Sequence, residues 1–435
     1  MRTLPILMGW RYRRWTLQHA ASLFFALTAP WGGAQAAEHV VRPGESIAAA
    51  VQRAQPGDSI KIERGYYREH IVIDKRLAVI GLDRPTVSGD NQGDVIRLKA
   101  ADISIEGLII RDSGTDLTEQ NAGIYVEPGC DRLVVRNTVL VYNLFGVWVN
   151  NARDVVVSDN LIAGKRDLAS AQRGNGIQLY NSIGARITGN QISFVRDGIY
   201  VDVSHQALFR NNKIHHVRYG THYMNSHHNV WEGNESYRNR GGLALMEVRN
   251  QIVRNNRAWG NTDHGIMLRT IQDSVVENNV VAGNARGFFI YDAEYNVLKN
   301  NLVIGNRVGV HVWAGSIHND VEANDFIQNR EQIRYVASRD EEWGKQMGNY
   351  WSNYAGWDVD NDGIGDVPFE ANDVRDRLTW KHPLVKLLLH SPAVETLAII
   401  ARQFPLLRSP SVIDKHPRMR PFNARWSNWL GQQRH

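Results

Sequence analysis

Three methionines and one histidine fall at corresponding positions of neighbouring sequence repeats, and together they could bind a soft metal ion. The residues are His222, Met224, Met246 and Met267. Thioether sulfur and imidazole nitrogen form a ligand set that suits copper, especially Cu(I). Exposed methionines and aromatic residues also make an apolar surface, and such surfaces generally mark interaction sites. The four residues could therefore form a copper-transfer surface, pack beneath a loop, or belong to a sugar-binding groove.

Three further histidines and three aromatic residues complete this candidate surface. His227 and His228 follow the segment that ends at Met224, and His264 directly precedes Gly265. These histidines are second-choice ligands, because residues at turns are harder to assign to one face of a repeat. The aromatic residues are candidates for a partner interface and not for ligation: Tyr200, Phe289 and Tyr291.

An acidic segment near the C-terminus has the spacing of a calcium loop. Residues 358–366 read D-x-D-x-D-G-x-x-D, in which alternating carboxylates and a turn-forming Gly can surround a hard cation with oxygen ligands. Phe369 stands where an EF-hand loop would carry its last Glu. The predicted Ca²⁺ would have a structural role, and the alternative is an Asx-rich turn without an ion. The candidate ligands are the carboxylates of Asp358, Asp360, Asp362 and Asp366 and the carbonyl of Ile364.

A glycine repeat sets the elements that must position these residues. Nine glycines recur at intervals of 22 or 23 residues, with one interval of 30: Gly123, Gly146, Gly176, Gly198, Gly220, Gly242, Gly265, Gly287 and Gly309. Residues one and three positions after each glycine are mostly apolar, which is the alternation of a strand with one buried face. A repeat too short to bury its own core must stack on its neighbours. The sequence therefore predicts an all-β fold, a right-handed parallel β-helix of about 12 coils.

Asparagines recur with the glycines, 14 residues after each of the first eight and 15 after the last. They are Asn137, Asn160, Asn190, Asn212, Asn234, Asn256, Asn279, Asn301 and Asn324. Asn tolerates left-handed backbone geometry and can bond to its own backbone at a turn. Stacked in register, its amide can also form a hydrogen-bonded ladder. Both interpretations are structural and neither indicates a function.

The repeat also predicts which side chains face outward. If positions one and three after a glycine face the core, positions two and four face solvent. Position two holds His222 and Met267, and position four holds Met224 and Met246. The stretch Glu45–Gln55 is predicted to be a capping helix. Residues 112–122 and 164–174 are longer than the repeat requires and are predicted to project as loops along one edge, where binding residues are often found.

The N-terminus has the features of a secretory signal peptide. Three arginines precede an apolar run and an Ala34-Gln35-Ala36 cleavage site. Removing the leader, which contains four arginines and no acid, lowers the net charge from +5 to +1. The basic balance therefore does not indicate nucleic-acid binding, and the single cysteine, Cys130, excludes an internal disulfide framework. We expect the mature chain in the periplasm.

The chain is predicted to divide into a signal peptide (1–36), a parallel β-helix (37–339), a cap with the Asp-rich loop (340–378) and a partner-docking tail (379–435). The tail carries two short apolar helical runs, Leu384 to His390 and Val394 to Ile400. Each is shorter than the roughly 20 residues that a membrane span requires. Docking onto a partner such as a membrane protein is one interpretation, and an arm folded back along the solenoid is the other.

Three sequence features together make the chain similar to the NosD family of periplasmic nitrous oxide reductase maturation proteins. They are the Asn/Gly repeat of 22 residues, the segment G-N-Y-W-S-N-Y-x-G-W-D-x-D-x-D-G-I-G-D-x-P at 348–368, and W-K-H-P-L-V-K from Trp380. The resemblance covers essentially the whole mature chain. It implies the periplasmic part of an ABC transporter complex with an ATPase and a membrane subunit. It further implies assembly of the copper sites of nitrous oxide reductase, with a copper chaperone lipoprotein as partner.

Two other functions are compatible with a β-helix of this kind. A carbohydrate-active lyase, hydrolase or uronate epimerase would need clustered acids and bases in a groove. The outward rows instead offer scattered candidates, and no G-D-D, G-H-G or D-P-H-E run is present: Glu127, Asp202, His222, Arg269 and His311. The sequence therefore predicts a protein that is not an enzyme. A metal-free structural adaptor between transporter and reductase remains the second alternative.

Overall fold

Strands of two to nine residues repeat through the chain and stack into a parallel β-helix, as the sequence predicts. The computed structural model describes residues 36–371 except 314 and 338, positions 384, 388, 391–394, 396 and 400, and residues 411–429. Apart from Ala36, the predicted signal peptide lies outside the described residues. The solenoid has about 14 turns of about 22 residues, two more than the prediction, because the early turns lack the glycine and asparagine markers.

Three long parallel sheets form the sides of the solenoid. Sheet 1 has 13 strands: Glu38–Val41, Ser59–Ile62, Ala78–Gly81, Ser104–Glu106, Val134–Arg136, Val156–Ser158, Arg186–Thr188, Leu208–Arg210, Val230–Glu232, Ile252–Arg254, Val275–Glu277, Val297–Lys299 and Asp320–Glu322. Sheet 2 has 12 strands: Ile71–Ile73, Ile96–Leu98, Ala122–Val126, Phe145–Asn150, Ile177–Tyr180, Asp197–Asp202, Tyr219–Met224, Gly241–Arg249, His264–Gln272, Arg286–Tyr291, Val308–Val312 and Glu331–Tyr335. Sheet 3 has 13 strands: Tyr66–Arg68, Thr86–Ser88, Ile109–Arg111, Val139–Asn143, Leu161–Gly164, Gln191–Ser193, Lys213–His215, Glu235–Tyr237, Arg257–Trp259, Val280–Ala282, Leu302–Ile304, Asp325–Ile327 and Tyr350–Trp351.

The asparagines form a ladder inside the solenoid. From Asn160 to Asn324, each side-chain amide donates to the carboxamide oxygen of the next asparagine at about 3.0 Å and to a backbone carbonyl. In several turns, the residue with the left-handed backbone conformation is the one just before the ladder asparagine. Examples are Asn211 and Asn255, which precede Asn212 and Asn256. Asn137 is an exception, because its own backbone has the left-handed conformation. The residue that donates to Asn160 here is Thr138, through its backbone N–H. The ladder, and not the turn, therefore explains most of these asparagines.

An α-helix, Ile47–Arg53, covers the first turn, within the predicted range 45–55. Ser46 caps it by accepting from the backbone N–H of Ala49 at 3.1 Å. The Glu69 carboxylate accepts from the N–H groups of Ile47 and Ala48. The N-terminal donors of the helix are thus satisfied by the solenoid that the helix covers.

Both predicted insertions are loops, but they lie against sheet 2 and do not project: Gln120 of the first loop accepts from the hydroxyl of Tyr125 at 3.4 Å. A 3₁₀ turn, Ser170–Gln172, interrupts the second loop, and Leu168 packs on the cluster formed by Tyr125, Phe145 and Trp148. Lys165, which is buried, donates to Asn91 at 2.9 Å. The second loop therefore covers the outer face of sheet 2 in the earlier turns and leaves the later turns open.

A small sheet closes the C-terminal end of the solenoid. Its strands are Glu341–Trp343, Val412–Asp414 and Phe369–Glu370. The buried Asp414 ends the asparagine ladder, because its carboxylate accepts from the backbone and side-chain N–H of Asn349 and from Trp351 Nε1. Asp325 accepts from the backbone N–H groups of Phe422 and Asn423. Residues 411–429, which fall within the predicted tail, are thus folded back on the solenoid and end in a 3₁₀ turn, Trp426–Trp429.

Candidate metal centre

Strand pairing places the four first-choice copper ligands on three adjacent strands of sheet 2. Met224 pairs directly with Met246, and Ala244 lies between His222 and Met267 in the register. Neighbouring strands are about 4.8 Å apart. The positions that the repeat predicts to face outward also face outward in the structure, so the four side chains lie in one patch.

A small residue, Ala244, lies at the centre of this patch. It belongs to the outward row, yet its exposed fraction is 0%. Its two register partners are the long side chains of His222 and Met267, which leave a short side chain between them covered. The patch is therefore recessed at Ala244 relative to the longer side chains on either side of it.

A second small residue, Gly241, extends this recess. A β-carbon at Gly241 would lie 2.5 Å from the ring of His264 and 2.7 Å from the ring of Tyr219. These two rings are therefore able to close over the backbone only because the side chain is absent. We call this depression the cup; its floor is Gly241 and Ala244, His264 lies beside Gly241, His222 and Met267 lie beside Ala244, and Met246 lies at its edge, two residues beyond Ala244 on the same strand.

A buried carboxylate orients His222. Its Nδ1 lies 3.0 Å from Asp197, which also accepts from both the Nε and the Nη2 of Arg218. Arg218 Nη2 approaches the same nitrogen at 3.1 Å, but Arg218 is a donor already paired with the carboxylate, so we assign the Nδ1 proton to His222. This tautomer leaves the Nε2 lone pair available, which is the usual arrangement of a metal-binding histidine. Burial would raise the pKa of Asp197, and the hydrogen bonds from Arg218 and His222 outweigh it, so that the pKa is lowered.

His264 is buried without a hydrogen-bond partner. Its exposed fraction is 0%, and neither ring nitrogen has a partner within hydrogen-bond distance. The closest carboxylate, that of Asp263, is 3.8 Å away and is paired with Arg286. Burial lowers the pKa of His264, with Asp263 opposing the shift, so the ring is neutral. A neutral imidazole with both nitrogens free is able to bind a metal ion or a water molecule.

The methionines are more covered than the sequence predicted. Met246 is only 9% exposed, while Met224 and Met267 are half-buried. The hydroxyl of Tyr200 lies 4.0 Å from the sulfur of Met224. The cup is consequently a partly enclosed site with Met224 and Met246 at its rim.

The two histidines after Met224 lie at a corner outside the cup. His227 Nδ1 accepts from the backbone N–H of Arg249 at 3.2 Å, and His205 Nδ1 accepts from the N–H of His227 at 3.0 Å. A neutral ring whose Nδ1 accepts must carry its proton on Nε2, so neither ring offers a lone pair to a metal ion. His228 is exposed in the left-handed region. His264 is therefore the one second-choice ligand that the structure brings to the candidate site.

The predicted interface residues have different surroundings. Tyr200 packs edge-on to His222 at 4.7 Å and is part of the cup's surroundings. Phe289 lies beneath the Arg286 guanidinium at 4.2 Å. Tyr291 is 37% exposed and is the most accessible of the three.

The sequence prediction missed Asp197, Arg218, Tyr219 and Gly241. Asp197, Tyr219, Gly241 and His264 precede successive repeat glycines, and their strands pair in one row. Apart from His264, the prediction considered only positions after the glycine. The available signal was this row itself. It combines an acid, a tyrosine, a glycine and a histidine, and it lies directly beside an outward histidine.

The Asp-rich loop brings three of its four acids together. Oxygen atoms of Asp358, Asp360 and Asp362 lie within 4.8 Å of one another. Asp366 instead accepts from the backbone N–H of Val359 at 2.7 Å, which uses its carboxylate to hold the loop. Gly363 has φ +87°, a conformation that favours glycine. The loop therefore has the turn that the motif predicts.

No helix among the described residues is long and apolar enough to cross a bilayer.

Comparisons with known proteins give a family and a fold. A family model described as "Periplasmic copper-binding protein (NosD)" matches residues 158–356. A relative from Pseudomonas aeruginosa, named "Probable ABC transporter binding protein NosD", is 38% identical over 396 residues, which cover 85% of this chain and 92% of the relative. A relative of the same name from Stutzerimonas stutzeri is 35% identical and covers 83% and 86%.

Solved structures share the fold at low sequence identity. The A-module of the mannuronan C-5 epimerase AlgE6 of Azotobacter vinelandii has a TM-score of 0.56 at 15% identity and covers 67% of this chain and 92% of its own. The Dettilon tailspike protein has a TM-score of 0.53 at 15% identity, with coverage of 69% and 68%. The surface adhesin PfbA of Streptococcus pneumoniae has a TM-score of 0.52 at 12% identity, with coverage of 70% and 90%. At these identities the likeness concerns the fold alone.

Proposed function

The chain belongs to the NosD family of periplasmic copper-binding proteins, and on this premise we propose that its cup receives and releases Cu(I). The protein would act in the periplasm as a non-catalytic accessory of an ABC transporter. The observation that carries the proposal is the cup itself, in which an oriented histidine, an unpartnered buried histidine and a methionine lie beside a floor of small residues, with two further methionines at the rim.

The side chains of the cup divide into two groups by accessibility. His264 and Met246 are buried, while His222 and Met267 are partly open. We assign His222, His264 and Met267 as the copper ligands, and we assign Met224 and Met246, which pair directly in the register, to the rim where copper enters. Soft sulfur and neutral imidazole favour Cu(I) over hard cations. A rim of flexible methionine also suits a partner that must bind and leave.

The finer part of the proposal names the donor and the recipient. We infer that copper comes from a chaperone lipoprotein and goes to nitrous oxide reductase, as the family resemblance implies. The names of the two relatives support association with an ABC transporter, which would comprise an ATPase and a membrane subunit. We further propose that the segment between Ala371 and Ser411 docks onto that membrane subunit. Within it, Leu384 and Leu388 are 81% and 57% exposed.

Copper binding by the cup can be tested directly. The chain from residue 37 onward would be loaded anaerobically with Cu(I), and its affinity measured by competition with a chromogenic Cu(I) chelator. Met246→Leu/Met267→Leu keeps side-chain volume and removes the ligand sulfur together with the nearest rim sulfur that could replace it, and it should weaken binding at least tenfold. Met347→Leu/Met419→Leu is the matched control, because these methionines are 47% and 36% exposed outside the cup. Equal affinities for both double variants would reject the cup.

An enzymatic role for the same residues has one observation in its favour. Asp197, Arg218, His222 and Tyr200 lie together, and a C-5 epimerase shares the fold. Such an enzyme needs a cation free to neutralise the substrate's carboxylate. Arg218 is engaged by Asp197 through two nitrogens, so it is not available for that role. Incubation with uronate polymers should therefore give neither unsaturated nor epimerised product.

A further inference from the structure

Arginines recur at one corner of the solenoid, where the chain passes from sheet 3 to the strands of sheet 2 that carry the cup. The register of sheet 2 and the backbone hydrogen bonds of the corner align one residue from each of seven successive turns. At about 4.8 Å per turn, the aligned residues extend over about 30 Å. We call them the basic row, and in order they are Arg196, Arg218, Arg240, Asp263, Ala285, Arg307 and Arg330.

Most of the positive charge in the basic row is unpaired. Arg218 is held by Asp197, and Asp263, the one acid of the row, is paired with Arg286. Like charges at the same position of neighbouring strands are destabilising, and Arg307 and Arg330 occupy the same position in adjacent turns. The arginines of the row whose side chains have no ion pair or hydrogen bond with another described residue are Arg196, Arg240, Arg307 and Arg330. Stability of the fold therefore gives no reason for the row.

The opposite edge of sheet 2 has the opposite charge. In the same turns, the corner residues that follow the strands of sheet 2 include no lysine or arginine and three acids, Asp273, Asp292 and Glu294. The chain without its leader has a net charge of only +1. The basic row is therefore a local concentration of charge and does not reflect a generally basic protein.

The basic row runs along one side of the cup. Arg240 directly precedes Gly241, and Asp263 directly precedes His264. On the other side of the cup, the row of outward residues that contains Met224 and Met246 continues into exposed aromatic side chains. These are Tyr291, which is 37% exposed, and Trp313, which is 43% exposed. A protein that covers the cup would contact arginines on one side and aromatic rings on the other.

We propose that the basic row binds an acidic surface of the protein that donates copper and so positions that protein over the cup. The positive potential of the row repels a free cation, so copper enters more readily from a donor whose carboxylates neutralise the arginines. Complementary charges contribute more to the association rate and to specificity than to affinity, which suits a donor that must leave. That the partner donates copper rests on the proposed function of the cup, whereas the basic row itself does not.

Binding without copper tests the surface separately from the cup. The probe is the copper-free soluble domain of the chaperone lipoprotein that we infer as the copper donor, and its affinity for the mature chain would be measured at low ionic strength. Arg240→Gln/Arg307→Gln/Arg330→Gln should weaken binding on the order of tenfold. The matched control removes three exposed arginines from other parts of the surface and should bind like the wild type: Arg64→Gln/Arg153→Gln/Arg186→Gln.

Two further measurements separate charge from structure. Raising the salt concentration from about 0.01 M to about 0.15 M shortens the range of charge interactions from about 30 Å to about 8 Å, so it should weaken binding by the wild type more than binding by the first glutamine variant. Arg240→Lys/Arg307→Lys/Arg330→Lys keeps the charge and should retain most of the affinity. Equal affinities for the two glutamine variants, or wild-type binding that does not change with salt, would overturn the proposal.

A membrane surface is the other partner that the basic row could contact. Sedimentation with vesicles that contain phosphatidylglycerol would then be lost in Arg240→Gln/Arg307→Gln/Arg330→Gln while binding to the chaperone stayed unchanged, and this result would also overturn the proposal. The same variant should bind Cu(I) at least as tightly as the wild type in chelator competition, because removing positive charge does not repel a cation. Failure of the cup alone would appear as unchanged Cu(I) binding in Met246→Leu/Met267→Leu, with the effect of the arginines on chaperone binding intact.

Discussion

His264 shows how much a single residue can indicate about a site. Burying a polar group without a hydrogen bond costs roughly 1–3 kcal/mol judged from protein mutations. His264 has two such nitrogens, and Gly241 gives it the room to lie where it does. A leucine would fill the position at lower cost. A ligand that satisfies the imidazole is therefore the simplest physical reason for a histidine there.

Asp197 should control copper affinity without contacting copper. Asp197→Asn removes the charge that holds the Nδ1 proton on His222, so the Nε2 lone pair is no longer fixed toward the cup. Loss of such a supporting carboxylate typically weakens metal affinity about 10–100-fold, and we expect a change in this range by chelator competition. Asp202→Asn is the control, since Asp202 lies in the neighbouring row and accepts from Asn225. A weaker effect of Asp197→Asn than of Asp202→Asn would contradict the assignment.

Transfer, as distinct from binding, should depend on the rim. Met224→Leu/Met246→Leu should fold and join the transporter but leave nitrous oxide reductase short of copper. Copper content of the reductase purified from cells carrying this variant is the measurement. A fully loaded reductase would remove the rim from the pathway and leave the family membership unaffected.

His311 should make the fold sensitive to acid. Burial, aided by Arg334 and Arg286, lowers the pKa of His311 to about 4, against about 6.5 in an unfolded chain. The unfolded state therefore binds the proton first, and stability falls as the pH drops from about 6.5 to about 4, by on the order of 3 kcal/mol. His311→Phe, which retains an aromatic ring beside Phe289 and Trp313, should lose this part of the pH dependence. Urea unfolding at pH 7.5 and 4.5 measures it, and an unchanged difference between the two values would refute the prediction.

At the scale of elements, the asparagine ladder supports the solenoid from inside, in addition to its apolar core. Asn256 donates to Trp231 and Asn279 and accepts from Asn234. Asn256→Ala would leave several of these buried groups unsatisfied, each at about 1–3 kcal/mol, and should lower the melting temperature strongly. Asn137→Ala should have little effect, because Asn137 lies outside the ladder and accepts from Arg84 at the surface. Equal melting temperatures for the two variants would argue against the ladder's importance.

The Asp-rich loop offers a second test at this scale. Asp358 and Asp362 each accept a backbone N–H in addition to facing the shared centre, so substituting them would disturb the loop itself. Asp360→Ala is the cleaner change. If the loop binds a structural Ca²⁺, a calcium chelator should lower the melting temperature of the wild type and not that of Asp360→Ala. No response of the wild type to the chelator would favour the ion-free Asx turn.

The repeat made the fold and the phase of the outer face predictable, because a fixed interval leaves one choice of inward and outward positions. It could not predict that Ala244 is covered, since burial on an outer face depends on the length of side chains one turn away. It also missed Asp197, because contacts between the rows on either side of the repeat glycine depend on the corner geometry. The sequence places residues 411–429 in the tail, because a strand that pairs with residues some 70 positions earlier leaves no local sequence pattern.

At the scale of the whole molecule, the two ends of the solenoid are closed differently. A local helix covers the first turn, whereas the last turn is closed by a strand that returns from far along the chain. Asp414 takes the position of the next asparagine in the ladder. The end of the predicted tail is therefore part of the folded body, which separates it from the segment proposed to dock.

This separation permits a sharper test of docking than truncation. The backbone N–H of Ala371 donates to the carbonyl of Val412 at 2.9 Å, so the chain leaves the body and returns to it at neighbouring points. Replacing residues 372–410 with a short Gly-Ser linker should therefore preserve the melting temperature and Cu(I) binding, while abolishing co-purification with the transporter. Truncation after residue 379 should also abolish co-purification, but with a lower melting temperature, because it removes the Asp414 carboxylate from Asn349 and Trp351. Co-purification of the linker variant at the wild-type level would place the docking surface on the solenoid.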